Sequence, residues 1–138
     1  NTMAVLHLKI VTPEKLIYDD EVSQVNVSTE QGILGILPNH ANLMAKLQPG
    51  ELVIKRNGKV ESLAVGDGFL QVADNILTVM TDLATYAIDI DERAVEEARK
   101  RAETALSQTL SDEEYAETLA NLEKSLAQLR IKRRHKVR

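Results

Sequence analysis

Cysteine and tryptophan are absent from the 138 residues, phenylalanine occurs once, and aromatic side chains make up only 3%. Without thiols there is no disulfide framework, no thiolate nucleophile and no cysteine-based zinc site, and histidines at 7, 40 and 135 allow only a sparse His site. So few aromatic rings leave little for stacking the bases of a single-stranded nucleic acid. No apolar run approaches the roughly 18 residues that a membrane span needs, so direct membrane insertion is not expected. No arginine-flanked apolar segment with a small-residue cleavage site appears either, which makes a cytoplasmic setting the expectation. What remains is an ordinary globular composition, 43% hydrophobic and 28% charged, long enough for one domain or for a small domain with an appendage.

Glycine and proline are missing from one half of the chain. All six glycines and all three prolines lie within the first 68 residues. Both residues punctuate strands and weaken helix interiors, so a turn-rich β module followed by a helical one is expected, with the break near Tyr86 to Asp89. Leu6, Leu8 and Ile10 alternate with their neighbours, as do Val25 and Val27, in the period of two of a strand with a buried face. Asn57-Gly58 between Glu51–Arg56 and Lys59–Val65 predicts a hairpin on a type I′ turn, because both residues accept positive φ. Asp74-Asn75 predicts a second hairpin between Gly68–Val72 and Ile76–Met80. Short strands at this spacing suit a sandwich or a flattened barrel.

The second half reads as two helices. Asp89 or Asp91 can cap a helix running from about Glu92 to Ser107, and Ser111-Asp-Glu-Glu114 has the pattern of a capping box opening a helix that continues to about Arg134. Ala94, Ala98, Ala102 and Ala105 line one helix, while Tyr115, Leu119, Leu122, Leu126 and Leu129 form a seam on the other. Small residues facing large ones across a short link fit an antiparallel hairpin; a dimerising coiled coil would use the same seam.

Charge is segregated. Residues 1–87 carry six basic and ten acidic side chains, residues 88–123 four and eleven, and residues 124–138 seven and none. Acids at helix starts and bases at a helix end complement the helix dipole, but Arg130, Lys132, Arg133, Arg134, Lys136 and Arg138 exceed what one terminus can use. Such an end suits an acidic partner, which keeps open an adaptor that binds nucleic acid or phosphate through this helix. A catalytic reading needs a nucleophile with its base, paired carboxylates in a cleft, or metal ligands at fixed spacing. Asp89 and Asp91 at a helix start are more simply caps, and no catalytic or metal-binding residue is assigned.

The least generic stretch is Glu30-Gln-Gly-Ile-Leu-Gly-Ile-Leu-Pro-Asn-His-Ala-Asn-Leu43. On physical grounds Gly32 and Gly35 permit a tight loop beside a strand, Pro38 fixes φ, and His40 can tie the following loop through its ring nitrogens. The segment resembles the glycine-leucine-glycine and proline-x-histidine signature of the epsilon subunit of F-type ATP synthases, the counterpart of the mitochondrial delta subunit. Gly32, Leu34, Gly35, Pro38 and His40 match it position by position, and Asn39 stands where a glycine is common. The resemblance extends to Leu8–Pro13, Gly66–Val72, Leu77–Met80, Ala98–Ala102 and Leu126–Arg130.

That resemblance implies an α+β protein: a ten-stranded N-terminal β-sandwich over residues 1–88, followed by an antiparallel α-helical hairpin over 89–138. It implies a non-catalytic rotor subunit at the cytoplasmic side of the bacterial cell membrane. The sandwich would bind the gamma subunit and rest on the ring of c subunits, coupling ion-driven rotation to ATP synthesis. The hairpin would inhibit ATP hydrolysis when extended, with the basic run Arg130, Lys132, Arg133 and Arg134 facing the acidic loop of the catalytic β subunits, which stand with the α subunits in the head. No cofactor is required. Some members bind ATP as a regulatory ligand through an Ile/Leu-Asp-x-x-Arg-Ala motif; here Ile90-Asp91-Glu92-Arg93-Ala94 is one residue shorter and Ile88-Asp89 to Arg93 one longer. Aligned on Leu129, the two second-helix arginines of those members fall on Lys124 and Gln128. Asp91, Arg93 and Arg99 or Arg101 are the candidates for such a site.

Overall fold

The computed structural model describes residues 4–135. Lys136 and Arg138 of the basic run lie outside them. The chain divides into two compact units, residues 1–86 and 87–138. The division falls within the stretch Tyr86 to Asp89 where composition places the break, and the 3-10 turn Ala87–Asp89 belongs to the second unit.

The first unit contains β1 (Leu6–Val11), β2 (Leu16–Val22), β3 (Gln24–Thr29), β4 (Gly32–Ile36), β5 (Leu43–Arg56), β6 (Lys59–Val65), β7 (Gly68–Ala73), β8 (Ile76–Thr81) and β9 (Ala84–Tyr86). One layer runs β2-β1-β8-β7 and ends on the first residues of β5; the other runs β4-β3, the remainder of β5, β6 and β9. β1 and β8 pair in parallel, with Leu8 opposite Leu77 and Ile10 opposite Val79. The remaining pairings are antiparallel, and alternate residues of both layers meet in a core that includes Leu6, Leu8, Ile10, Val25, Val27, Leu52, Ile54, Leu70 and Leu77. The period-two pattern seen in the sequence is this core.

β5 belongs to both layers. Its residues Leu43–Lys46 pair with β7, while Gly50–Arg56 pair with β6 and Leu47 already faces β3. The change of layer falls between Lys46 and Leu47, and Pro49-Gly50 lies just beyond it, in the stretch between Leu47 and Leu52 where the pairing with β3 shifts register. The ten strands implied by resemblance become nine among the described residues because this one serves twice and is counted once. Both expected turns have the required backbone: φ is 50° at Asn57, 75° at Gly58, 51° at Asp74 and 63° at Asn75. A third position admits only glycine. At Gly68 φ is 149°, and a Cβ there would lie 1.9 Å from the Met80 carbonyl oxygen across the β7–β8 pair.

The second unit is a helical hairpin of α1 (Glu92–Leu106) and α2 (Asp112–Arg134). Asp91 caps α1 by accepting the Ala94 N–H at 3.1 Å. Ser111 Oγ accepts the Glu114 N–H at 3.1 Å while the Glu114 carboxylate accepts the Ser111 N–H at 3.0 Å, completing the box that the sequence announces. The leucine seam is corrected by the structure. Leu129 is buried and Leu122 half-buried, but Tyr115, Leu119 and Leu126 are exposed, whereas Ser125, Ala127 and Ile131 are buried. At 100° per residue, Ala127 and Ile131 fall on the side of α2 opposite Leu122 and Leu129. The end of α2 buries two stripes, and a reading in heptads looks for only one.

Candidate functional site

The signature residues do not form one cluster. Gly32–Ile36, expected as part of a tight loop, is the edge strand β4. Gly32 opens it with φ 106°, and Thr29 Oγ1 donates to the Gly32 carbonyl at 2.7 Å. Leu34 packs against the core, and at Gly35 a Cβ would stand 3.2 Å from the Asn26 Oδ1. Pro38 and His40 lie past the far end of this strand. Five residues rising about 3.3 Å each separate the two groups, so no ligand of ordinary size touches Gly32 and His40 together.

Beyond β4 the chain turns sharply. The His40 N–H donates to the Leu37 carbonyl at 3.2 Å, Pro38 sets the first central φ, and Asn39 takes the second at 63°, the arrangement of a type II turn. Asparagine tolerates the left-handed region, which is why it can stand where a glycine is common. His40 Nδ1 lies 2.8 Å from the Ala41 carbonyl and must carry the proton that makes this bond. The neighbouring β7–β8 turn holds the loop. Asn75 Oδ1 accepts the Asn39 N–H at 2.7 Å, its Nδ2 donates to the Val5 carbonyl at 2.8 Å, and Asn42 Oδ1 accepts the Asp74 N–H at 3.3 Å. Sequence reasoning recognised Asn75 as a turn former and missed its side chain, since nothing local to Asp74-Asn75 points to residue 39.

Apolar side chains are displayed around this frame. Ile33 is 77% exposed on β4, and Leu37 and Met44 are exposed at and just after the turn. On the outer face of the first layer, Phe69 and Met80 pair across β7–β8 and border a shallow depression of about 550 Å³ with Val11, Pro13 and Gly68. Phe69 and Met80 are adjacent, whereas Ile33 lies on the edge strand of the other layer, so the exposed apolar side chains are distributed over the module.

The basic end of α2 turns back on α1. Arg133 Nε donates to Glu92 Oε1 and Arg133 Nη2 to Glu96 Oε2, each at 3.1 Å. Lys132 Nζ donates to the carbonyls of Ile88 at 3.1 Å and Ala87 at 3.4 Å. Arg130 and Arg134 are exposed. Glu96 also accepts from Arg99, whose guanidinium reaches Glu103 as well. Hydrogen bonding by Arg99 is the foremost reason why the Glu96 carboxyl is held below its ordinary pKa, and the charges of Arg99, Arg133 and Lys100 act in the same direction.

Between the helices lies an open depression of about 540 Å³ lined by Glu96, Arg99, Leu126, Leu129, Arg130 and Arg133. Of the four residues considered for ATP, only Arg99 borders it. The Asp91 carboxylate is engaged as a cap, and Arg93 and Arg101 are exposed elsewhere on α1.

The two units coincide with two family models. Residues 5–87 match the ATP synthase Delta/Epsilon chain beta-sandwich domain, and residues 89–133 match the ATP synthase Delta/Epsilon chain long alpha-helix domain. The chain belongs to the epsilon subunits of ATP synthase. Among relatives of that name, the ATP synthase epsilon chain of Chloroflexus aggregans is 40% identical over 133 residues, covering 96% of each chain. That of Nitratidesulfovibrio vulgaris is 38% identical over 127 residues, covering 92% of this chain and 95% of the relative. The fold of this epsilon subunit recurs in a mitochondrial ATP synthase of Euglena gracilis, solved with OSCP, F1 and c-ring, with a TM-score of 0.75 at 24% identity over 92% of this chain and 81% of the other. It recurs in the central stalk and c-ring of the Tetrahymena thermophila mitochondrial enzyme with a TM-score of 0.65 at 16% identity over 91% and 95%.

Proposed function

We propose that this epsilon subunit is a non-catalytic rotor component that couples ion-driven rotation of the c ring to ATP synthesis and restrains ATP hydrolysis through its helical hairpin. The observation that carries the reading is the division of labour between the units: the sandwich presents apolar side chains on a stiff frame, and the hairpin concentrates Arg130, Lys132, Arg133 and Arg134 at one end. The first suits a permanent seat on the gamma subunit and the c ring. The second suits a reversible, salt-sensitive contact with an acidic surface of the catalytic β subunits. Among the described residues no helix is long and apolar enough to cross a membrane, which accords with peripheral attachment at the cytoplasmic side through the other subunits. Regulatory ATP, for which no resident cofactor is needed, would take the depression beside Arg99, Arg130 and Arg133 and would have to draw Glu96 away from two of them.

The deciding experiment is co-purification with gamma and the catalytic head, comparing the full chain, a truncation ending at Ile88, and a variant with Arg130, Lys132, Arg133 and Arg134 all changed to alanine. All three should bind gamma, and only the full wild-type chain should restrain hydrolysis. Loss of gamma binding by the truncation would refute the seat on the sandwich, and full restraint by the quadruple variant would refute the role of charge.

A further inference from the structure

Two of the cations proposed above as inhibitory are already engaged within the second unit. The Arg133 guanidinium is shared by two carboxylates, Glu92 and Glu96, both at 3.1 Å, and the Lys132 ammonium rests on two main-chain carbonyls of the turn before α1. Glu92 and Glu96 stand four residues apart, on one face of α1. Helix-dipole complementarity explains an acid in the first turn, but its reach fades within that turn. It does not explain why Glu96, in the second turn, meets an arginine 37 residues away in the chain. Glu96 is fixed in place by Arg99 from its own helix, so the carboxylate is oriented before Arg133 arrives.

We propose that Glu92 and Glu96 are an internal stand-in for the acidic partner surface: they occupy Arg133 while the hairpin is closed and must give it up before it can engage that partner. The inference rests on the inhibitory role proposed for the basic end and names what regulates it. The two engagements compete for the same edge of the side chain: Nε and Nη2 are the donors with which a guanidinium grips a carboxylate side-on, and both are committed to Glu92 and Glu96. Coupling of this kind is reciprocal, so a partner that takes Arg133 opens the hairpin to the same degree that closure weakens the partner's hold. Exposed ion pairs change an equilibrium by no more than about fivefold each, so the stand-in delays engagement without forbidding it. A partner offering several carboxylates at once outcompetes two.

The test uses the full chain, whose lack of cysteine allows a fluorescent pair to be placed at Arg101→Cys and Glu123→Cys, both exposed positions on opposite helices. Glu92→Gln with Glu96→Gln should raise the population with separated labels severalfold at low salt. Arg133→Gln should shift it the same way. Glu97→Gln removes a charge from the same exposed stretch of α1 and should leave the label separation unchanged, which separates the contact from general helix electrostatics. In the assembled enzyme the double glutamine variant should restrain ATP hydrolysis more strongly than wild type.

An unchanged label separation in the double variant, or an equal shift in Glu97→Gln, overturns the internal stand-in whatever hydrolysis does. A clear opening without any gain in restraint supports the internal contact and instead removes the inhibitory role assigned to the basic end.

Discussion

Asn75 reaches back to Asn39 across 36 residues of sequence: its Oδ1 accepts the Asn39 N–H at 2.7 Å while its Nδ2 holds the Val5 carbonyl at 2.8 Å. One side chain thereby fastens the proline-histidine turn to the start of β1. Its own φ of 63° makes glycine the informative replacement, because Asn75→Gly removes the amide without straining the backbone. Two ordinary hydrogen bonds contribute about 0.5 to 1.5 kcal/mol each, so a loss of about 1 to 3 kcal/mol is expected in urea unfolding at constant m-value. Amide exchange at Asn39 should accelerate more than that change alone implies. Equal exchange at Asn39 in both proteins would show that the turn is held by other means.

Gly68 allows no side chain. Its φ of 149° and the 1.9 Å approach of a Cβ to the Met80 carbonyl oxygen mean that Gly68→Ala must break the β7–β8 register or distort it. Backbone strain alone costs about 1 to 3 kcal/mol, and disturbed core packing adds to it, so destabilisation of at least about 3 kcal/mol is expected by chemical denaturation. A well-folded alanine variant within about 1 kcal/mol of wild type would contradict the geometry.

Leu126 and Leu129 separate a surface leucine from a core one on the same helix. Leu129 is 2% exposed and Leu126 43%. Leu129→Ala should cost about 2 to 5 kcal/mol, and Leu126→Ala about 1 kcal/mol or less. Limited proteolysis of the link around Thr109 reads the difference: the first variant should be cut faster, and the second should behave as wild type.

Closure of the hairpin should weaken in acid. The Glu96 carboxyl is lowered chiefly by hydrogen bonds from Arg99, which sits on the same helix and stays with it on opening. The charge of Arg133 acts in the same direction and is lost on opening, so Glu96 binds protons less readily closed than open. The stabilisation is therefore complete above the ordinary glutamate value near 4.5 and fades as pH falls through the depressed one. The label pair on α1 and α2 should show opening below about pH 4.5 and no titration from this group at neutral pH. Glu96→Gln should flatten that acid limb; an unchanged limb would assign it to other carboxylates.

What was legible in the sequence was local chemistry. Asn57-Gly58, Asp74-Asn75 and Ser111 to Glu114 each satisfy their own backbone within a few residues, and all three stand as read. β4 was not legible because Gly32 and Gly35 signal a loop to any local reading; they are tolerated at the sheet edge, where Leu34 and Ile36 supply the inward packing. The hairpin strand expected to begin at Glu51 runs from Leu43, with Pro49-Gly50 inside it at an irregularity of the pairing with β3, a difference decided by pairing partners distant in sequence. At the candidate site, Arg133 was legible as a basic residue, but its two glutamates were not. Their pairing follows from antiparallel packing that brings the last turn of α2 beside the first two turns of α1.

The passage of β5 through both layers has a mechanical consequence. In a sandwich held only by side chains, one sheet slides over the other at the expense of rearranged packing, which yields under sustained load. Here sliding of that kind pulls on a continuous fourteen-residue stretch of main chain stitched by hydrogen bonds to β7 at one end and to β3 and β6 at the other. The laminate is sewn through its thickness, and shear applied to one face passes to the opposite face along covalent bonds with little elastic lag.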